Sequence, residues 1–247
     1  LEADALPVRA LQLRKDWEER LSFQYPHGAL TRVKSAYSVS ELKGNRLPED
    51  ERRGRKNESD RGTMAQQHPE EVFSGSRRIL SGAERGTAYH KVMEVPPPED
   101  GADLGKIQAV INRLFSGEPE LAASIGAEDI AGFYRTELGQ RTAKAEKSGR
   151  RQTEHPFVMG VPVSELSPEV QEDELVLIQG IIDLYLEEED GLVLVDYKTD
   201  AVGERVLIKR YGNQLSYYQK ALERSVGKPV KEAWIYSFHL KKAVRAF

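Results

Sequence analysis

The chain has 247 residues, 39% hydrophobic and 31% charged, with a formal net charge of −4. That length suits one domain with a full core or one domain plus a flexible arm, the second being expected, and the acidic balance argues against indiscriminate nucleic-acid binding, which draws on phosphate neutralisation by Lys and Arg. The sequence has no cysteine, which excludes disulfides, thiolate metal sites, iron–sulfur clusters and cysteine nucleophiles, so any metal must be held by His, Asp or Glu.

The opening stretch, LEADALPVRALQLRKDWEER, has no secretory apolar region, and no apolar run reaches the roughly 18–20 residues that span a bilayer. A cytoplasmic protein without a membrane partner is expected, and a first residue of Leu rather than Met points to a processed chain or a fragment. Trp17, Leu21, Phe23, Tyr25, Leu30 and Val33 supply apolar side chains with which residues 1–41 are expected to pack on the body. Residues 42–76 are polar, charge-dense and poor in large apolar groups. They cannot bury enough surface to offset ordering entropy and read as a linker or flexible insertion before a main domain at 77–247.

Order resumes at Ser81, where S-G-A-E puts a capping hydroxyl three residues before Glu84. The pattern predicts a helix over 82–94, stopped by Pro96, Pro97 and Pro98. Helical spacing returns at 104–115 (Ile107, Val110, Ile111, Leu114) and around 130–145. Strand patterns follow at 152–159, 175–186 and 192–197, the last two joined as a hairpin through Glu189, Asp190 and Gly191. A long helix over 206–225, closed by Gly227 and followed by Pro229, leads to a final strand at 234–240. The order is helix, three strands, helix, strand.

The strand LVLVDYKTD puts Asp196 and Lys198 two residues apart, on one face. Across the hairpin Asp183 lies opposite Asp196 or Lys198, depending on which residues occupy the turn. A lone Asp-x-Lys is commonly a structural ion pair. Two carboxylates converging near a Lys are costly unless a cation sits between them, and without cysteine a magnesium-type ion is the simplest candidate. In the first helix Gly86 and His90 share a face, and a helix-interior Gly implies close approach of another backbone or a ligand; alone, such a His is more often a satisfied structural residue. Gln214 and Tyr218 share a face of the last helix one turn after Tyr211, a pattern that fits strand binding or a plain amphipathic helix equally. The basic residues of 141–151, with Arg205, Lys209 and Arg210, favour a polyanionic substrate over a small molecule.

Taken in order, G-T-A-Y-H (86–90), E-H-P-F (154–157), G-I-I-D (180–183), D-Y-K-T (196–199) and Q-L-S-Y-Y (214–218) resemble the motifs of the RecB-like branch of the PD-(D/E)XK nuclease superfamily. SVSELK (38–43), ELGQR (137–141) and QGIIDLYLEEEDGLVLVDYKTD (179–200) are similar to the nuclease region of AddA-type subunits of helicase-nucleases, over roughly Ser76 to the C-terminus. The AddB type, whose nuclease domain carries an iron–sulfur staple, is disfavoured by the missing cysteine.

The resemblance implies an α/β fold, an α-β-β-β-α-β core with a central mixed sheet flanked by helices and extra N-terminal helical segments. It further implies that His90, Asp183 and Asp196 ligate magnesium, for which manganese can substitute, together with the Tyr197 carbonyl. Asp183, Asp196 and Lys198 would be catalytic, with Lys198 orienting or activating water. Gln214, Tyr218, Glu154 and Gly86 would contact DNA or support the site. The reaction implied is hydrolysis of phosphodiesters, with single-stranded DNA as the expected substrate, in double-strand-break processing for recombinational repair. The implied partners are a helicase part and an AddB-type subunit; ATP would serve only the helicase part, since no G-x-x-x-x-G-K-[ST] occurs in this sequence. The alternative is a non-catalytic DNA-binding or interaction module of the same fold, against which the unbroken motifs weigh.

Overall fold

The computed structural model describes residues 14, 15, 17, 18, 21, 22, 30, 33–42, 80–97, 101–168, 170 and 174–247. The chain divides into two units, Leu1–Ser35 with Val161–Val176 and Ala36–Gly160 with Leu177–Phe247. In the smaller unit Trp17 and Leu21 are exposed, and the backbone N–H of Val163 donates to the Glu174 carbonyl. Phe23, Tyr25 and all of the polar stretch 42–76 except Leu42 lie outside the described residues.

The larger unit is built on one mixed sheet. Its strands are β1 (Ala36–Ser38), β2 (Arg151–Pro162), β3 (Leu175–Glu188), β4 (Gly191–Lys198), β5 (Val230–Ser237) and β6 (Lys242–Arg245), in the order β1-β3-β4-β5-β6 with β2 also pairing β3. β1 runs parallel to β3, β3 antiparallel to β4, β4 parallel to β5 and β5 antiparallel to β6. β4 is central because its sequence, GLVLVDYK, is apolar on both faces, and every residue before Lys198 is buried. Its parallel pairing with β5 requires a crossover, supplied by the long helix α6 (Glu204–Val226), which Gly227 closes at φ 72°.

Five helices precede β2: α1 (Gly82–Glu94), α2 (Leu104–Leu114), α3 (Pro119–Ala123), α4 (Ala127–Arg135) and α5 (Glu137–Lys147). The capping box at Ser81 and Glu84 starts α1 at the predicted residue. Tyr89, Val92 and Met93 of α1, Ile107 and Ile111 of α2, and Ile130 and Phe133 of α4 join Leu184, Leu186, Val193, Val195 and Tyr197 in one apolar core. By the pleat, Leu192, Leu194 and Asp196 point to the other face, which α6 covers. The fold is thus the mixed α/β arrangement, a central sheet flanked by helices, that the resemblance implied.

Four details differ from the sequence expectation. The helix expected around 130–145 is two helices broken at Thr136, whose hydroxyl accepts from the Gly139 N–H at 3.1 Å. A Cβ on Gly139 would lie 2.1 Å from the Phe133 carbonyl oxygen, so only glycine lets α5 start this close to the end of α4. The strand expected at 234–240 begins at Val230, ends at Ser237 and turns back into β6. β1 and α3 have no local signature: β1 is three residues long and pairs with Leu177–Gln179, far away in sequence. Among the described residues no helix is long and apolar enough to cross a membrane.

Candidate metal centre

The β3–β4 hairpin pairs Leu184 with Val195 and Glu188 with Gly191, leaving Glu189 and Asp190 as a two-residue turn. That register, continued one step, puts Asp183 across from Asp196 rather than from Lys198. Asp183 is fixed at both oxygens: Oδ2 accepts the Tyr197 backbone N–H at 2.9 Å, and Oδ1 is 3.2 Å from His90 Nδ1. The other His90 nitrogen, Nε2, is 3.0 Å from the Tyr197 carbonyl oxygen. α1 brings His90 there by running its Gly86 face against the end of β4, where a Cβ on Gly86 would meet Thr199 Oγ1 at 3.3 Å. The close approach inferred from Gly86 is therefore to a side-chain hydroxyl.

Glu154, on β2, joins them: one ligand atom each from His90, Glu154 and Asp183 lie within 4.8 Å of one another. Its backbone is left-handed, at φ 49°. For a non-glycine residue this conformation costs about 1–2 kcal/mol and persists only where the surroundings enforce it.

Asp196 is fully buried, and neither of its carboxylate oxygens has a hydrogen-bond partner. Lys198 Nζ is 2.5 Å from Oδ2, an ion-pair contact without directed hydrogen-bond geometry. On its other side the same ammonium lies 4.6 Å from the ring centre of Tyr211, whose hydroxyl donates to Asp200 Oδ2 at 2.9 Å. Gln214 Nε2 donates to the Tyr218 hydroxyl at 2.6 Å, and Gln214 Oε1 is buried without a hydrogen-bond partner. The Tyr218 ring stands edge-on to Phe157 at 5.7 Å between centroids.

These contacts separate the two aspartates electrically. Burial pushes the Asp196 carboxyl up to about 6, Lys198 acting against the shift and Asp183 with it. Burial opposes ionisation of Asp183 as well, but the His90 hydrogen bond, Lys198 and the Tyr197 N–H outweigh it and hold the carboxyl below the usual range. Glu154 is raised by burial and by the charges of Asp183 and Glu94. His90 and Lys198 both stay on the protonated side: burial opposes their charge, and the neighbouring carboxylates outweigh it.

The donor set fits a hard divalent cation. A neutral imidazole donates from one nitrogen only, yet both nitrogens of His90 face oxygen. A proton or a cation between ring and carboxylate relieves that conflict. The 3.2 Å from Nδ1 to Asp183 Oδ1 is close to the separation of neighbouring octahedral ligands, ~3 Å for bonds of ~2.1 Å. The unbonded oxygens of Asp196 point the same way, since a buried carboxylate without hydrogen bonds is otherwise a net cost.

The basic residues read as a path for a polyanion divide. Arg141 is bound by Glu188 and Glu232, Arg151 by Glu146 and the carbonyls of Met93 and Glu94, and Arg210 by Asp200. Lys144, Lys147, Arg150, Arg205 and Lys209 are exposed. Arg151 and Asp200 are contributors that sequence reasoning missed. Arg151 caps the end of the helix that carries His90 and has no local signature; Asp200 closes the D-Y-K-T-D run, a signal visible in the sequence.

The family model described as the PD-(D/E)XK nuclease superfamily matches residues 66–246. Among curated proteins, the A-type subunit of the ATP-dependent helicase/nuclease of Lachnoclostridium phytofermentans is 38% identical over 212 residues, 70% of this chain and 15% of that protein. The protein of the same name from Desulforamulus reducens is 36% identical over 249 residues, 96% of this chain and 19% of its own length, and that from Bacillus licheniformis is 34% identical, with 93% and 19% covered. The chain spans less than a fifth of the length of each of these relatives.

Proposed function

The chain belongs to the PD-(D/E)XK nuclease superfamily, and from that premise we propose that it is a magnesium-dependent deoxyribonuclease acting on single-stranded DNA. The observation that carries the reading is Asp196: a buried carboxylate with no hydrogen bond to either oxygen, opposite Asp183 and beside Lys198. His90, Asp183, Asp196 and the Tyr197 carbonyl would hold the ion, magnesium or in its place manganese, with Glu154 supporting them. A bound ion of this kind supplies positive charge at the phosphate and makes water a stronger nucleophile near neutral pH.

The remaining work falls to the chain's own groups. Lys198 orients the attacking water and stabilises charge on the scissile phosphate. Gln214 and Tyr218 contact the strand or brace the site, and Gly86 lets Thr199 approach. The chain's net charge of −4 fits a nuclease to which a longer helicase-nuclease delivers an unwound strand, since such a domain needs only modest DNA affinity. The relatives' names support that assembly: an ATP-driven motor part, an AddB-type partner and a role in recombinational repair of double-strand breaks in the cytoplasm. Within this chain we assign the nuclease to residues 77–247.

The test is cleavage of end-labelled single-stranded DNA with magnesium and without ATP, comparing the chain with Asp196→Ala and Lys198→Ala at equal folded concentration. Magnesium-dependent cleavage lost in both variants is expected. No cleavage by the parent chain, with DNA binding retained, overturns the reading in favour of a binding module.

A further inference from the structure

Lys198 is the one cation of the centre carried on a long, rotatable stem, so what holds its ammonium in place matters to any reaction there. Only 12% of its side chain is exposed. Asp196 Oδ2 takes one side of the ammonium at 2.5 Å, and the face of Tyr211, itself buried, takes another at 4.6 Å from the ring centre. The ring is in turn tied down: its hydroxyl donates to Asp200 Oδ2 at 2.9 Å, and Arg210 Nη1 holds the other oxygen of Asp200 at 2.6 Å.

This chain of contacts crosses three segments. Lys198 ends β4, Asp200 lies just beyond it, and Arg210 and Tyr211 stand on α6. Asp200 therefore latches the helix to the strand end that carries the lysine. We propose that Tyr211 is a positioning residue for the nuclease reaction, its ring face confining the Lys198 ammonium against Asp196 while Asp200 and Arg210 confine the ring. The inference rests on the nuclease reading for its catalytic consequence and on the geometry alone for the positioning.

A desolvated ammonium over an aromatic face is held more firmly than an exposed one. Tyr211→Leu keeps apolar bulk and removes the ring face; Tyr211→Phe keeps the ring face and removes the tie to Asp200. For magnesium-dependent cleavage of single-stranded DNA by the full chain, Tyr211→Leu should lower kcat on the order of tenfold with little change in KM, because the group it misplaces acts in the transition state. Tyr211→Phe should recover most of that loss, and Asp200→Ala should fall between the two.

A second readout does not depend on cleavage. In protein with 13C-labelled lysine, the Lys198 ε-methylene signal, assigned by its disappearance in Lys198→Ala, should be shifted upfield by the ring in the parent and in Tyr211→Phe, and should return to the ordinary lysine position in Tyr211→Leu. A Lys198 signal unchanged by Tyr211→Leu overturns the positioning, as does a kcat that stays at the parent level. A parent chain that cuts no DNA refutes the nuclease reading instead, and the lysine spectrum then decides the positioning alone.

Discussion

Replacing Asp196 by Asn should make the chain more stable above neutral pH while abolishing cleavage. Asp196 is fully buried, its oxygens accept no hydrogen bond, and burial raises its carboxyl from 3.8 to about 6. The folded state therefore binds this proton more tightly than the unfolded state does. Above about pH 6 the ionised carboxylate destabilises the fold, and the penalty fades as pH falls toward 3.8, where both states hold the proton. The difference of about 2 units, at ~1.4 kcal/mol each, is a penalty of about 3 kcal/mol at pH 8 and about half that at pH 5. Asn mimics the neutral form, but Lys198 loses a counter-charge and keeps only that of Asp183. The expected net gain at pH 8 is thus about 1–3 kcal/mol, or ~2–4 °C in melting temperature per kcal/mol for a chain of this size. Calorimetry of parent and variant with chelator at pH 5 and pH 8 isolates the effect, since the difference between the two pH values cancels the other consequences of the substitution. A gain equal at both pH values, or a loss at pH 8, refutes the argument that this carboxylate is held charged at the expense of stability.

Three further outcomes are expected. Magnesium should raise the melting temperature of the parent, by about 2.7 kcal/mol of stability at a hundredfold excess over its dissociation constant, and His90→Ala should lose most of that rise in calorimetry. Gly139→Ala should destabilise by about 3 kcal/mol or more in urea titration, because the new Cβ would sit 2.1 Å from a backbone oxygen that cannot move without displacing α4. Arg141 holds Glu188 at about 2 against its usual 4.5, so this pair stabilises the fold fully above pH 4.5 and loses its effect as pH falls through 2. With the Glu188 side chain 28% exposed, Arg141→Ala should cost about 1–2 kcal/mol at pH 7 in acid–urea titration, and a difference from the parent that persists at pH 2 would contradict that origin.

Much of the centre was legible in the sequence because its parts are local patterns. The two-residue spacing of Asp196 and Lys198 puts them on one face of any strand, and S-G-A-E starts α1 wherever that helix packs. The hairpin was equally readable, but its turn was not: whether Asp183 meets Asp196 or Lys198 depends on a one-residue choice of loop, which the pairing of Glu188 with Gly191 decides. The break at Thr136 escaped because helical spacing continues through it, while the carbonyl that excludes a Cβ at Gly139 belongs to the preceding helix.

By itself the sequence determined which residues could do chemistry and on which strand or helix each would ride, since composition and periodicity act within a few residues. Tertiary structure alone decided that a strained Glu154 from β2 stands with His90 and Asp183, that Thr199 fills the space left by Gly86, and that Tyr211 covers Lys198. Those meetings join segments far apart in the chain, and nothing in the local pattern of either partner encodes the distance between them; sheet register and the packing of α1 and α6 against the end of β4 set it.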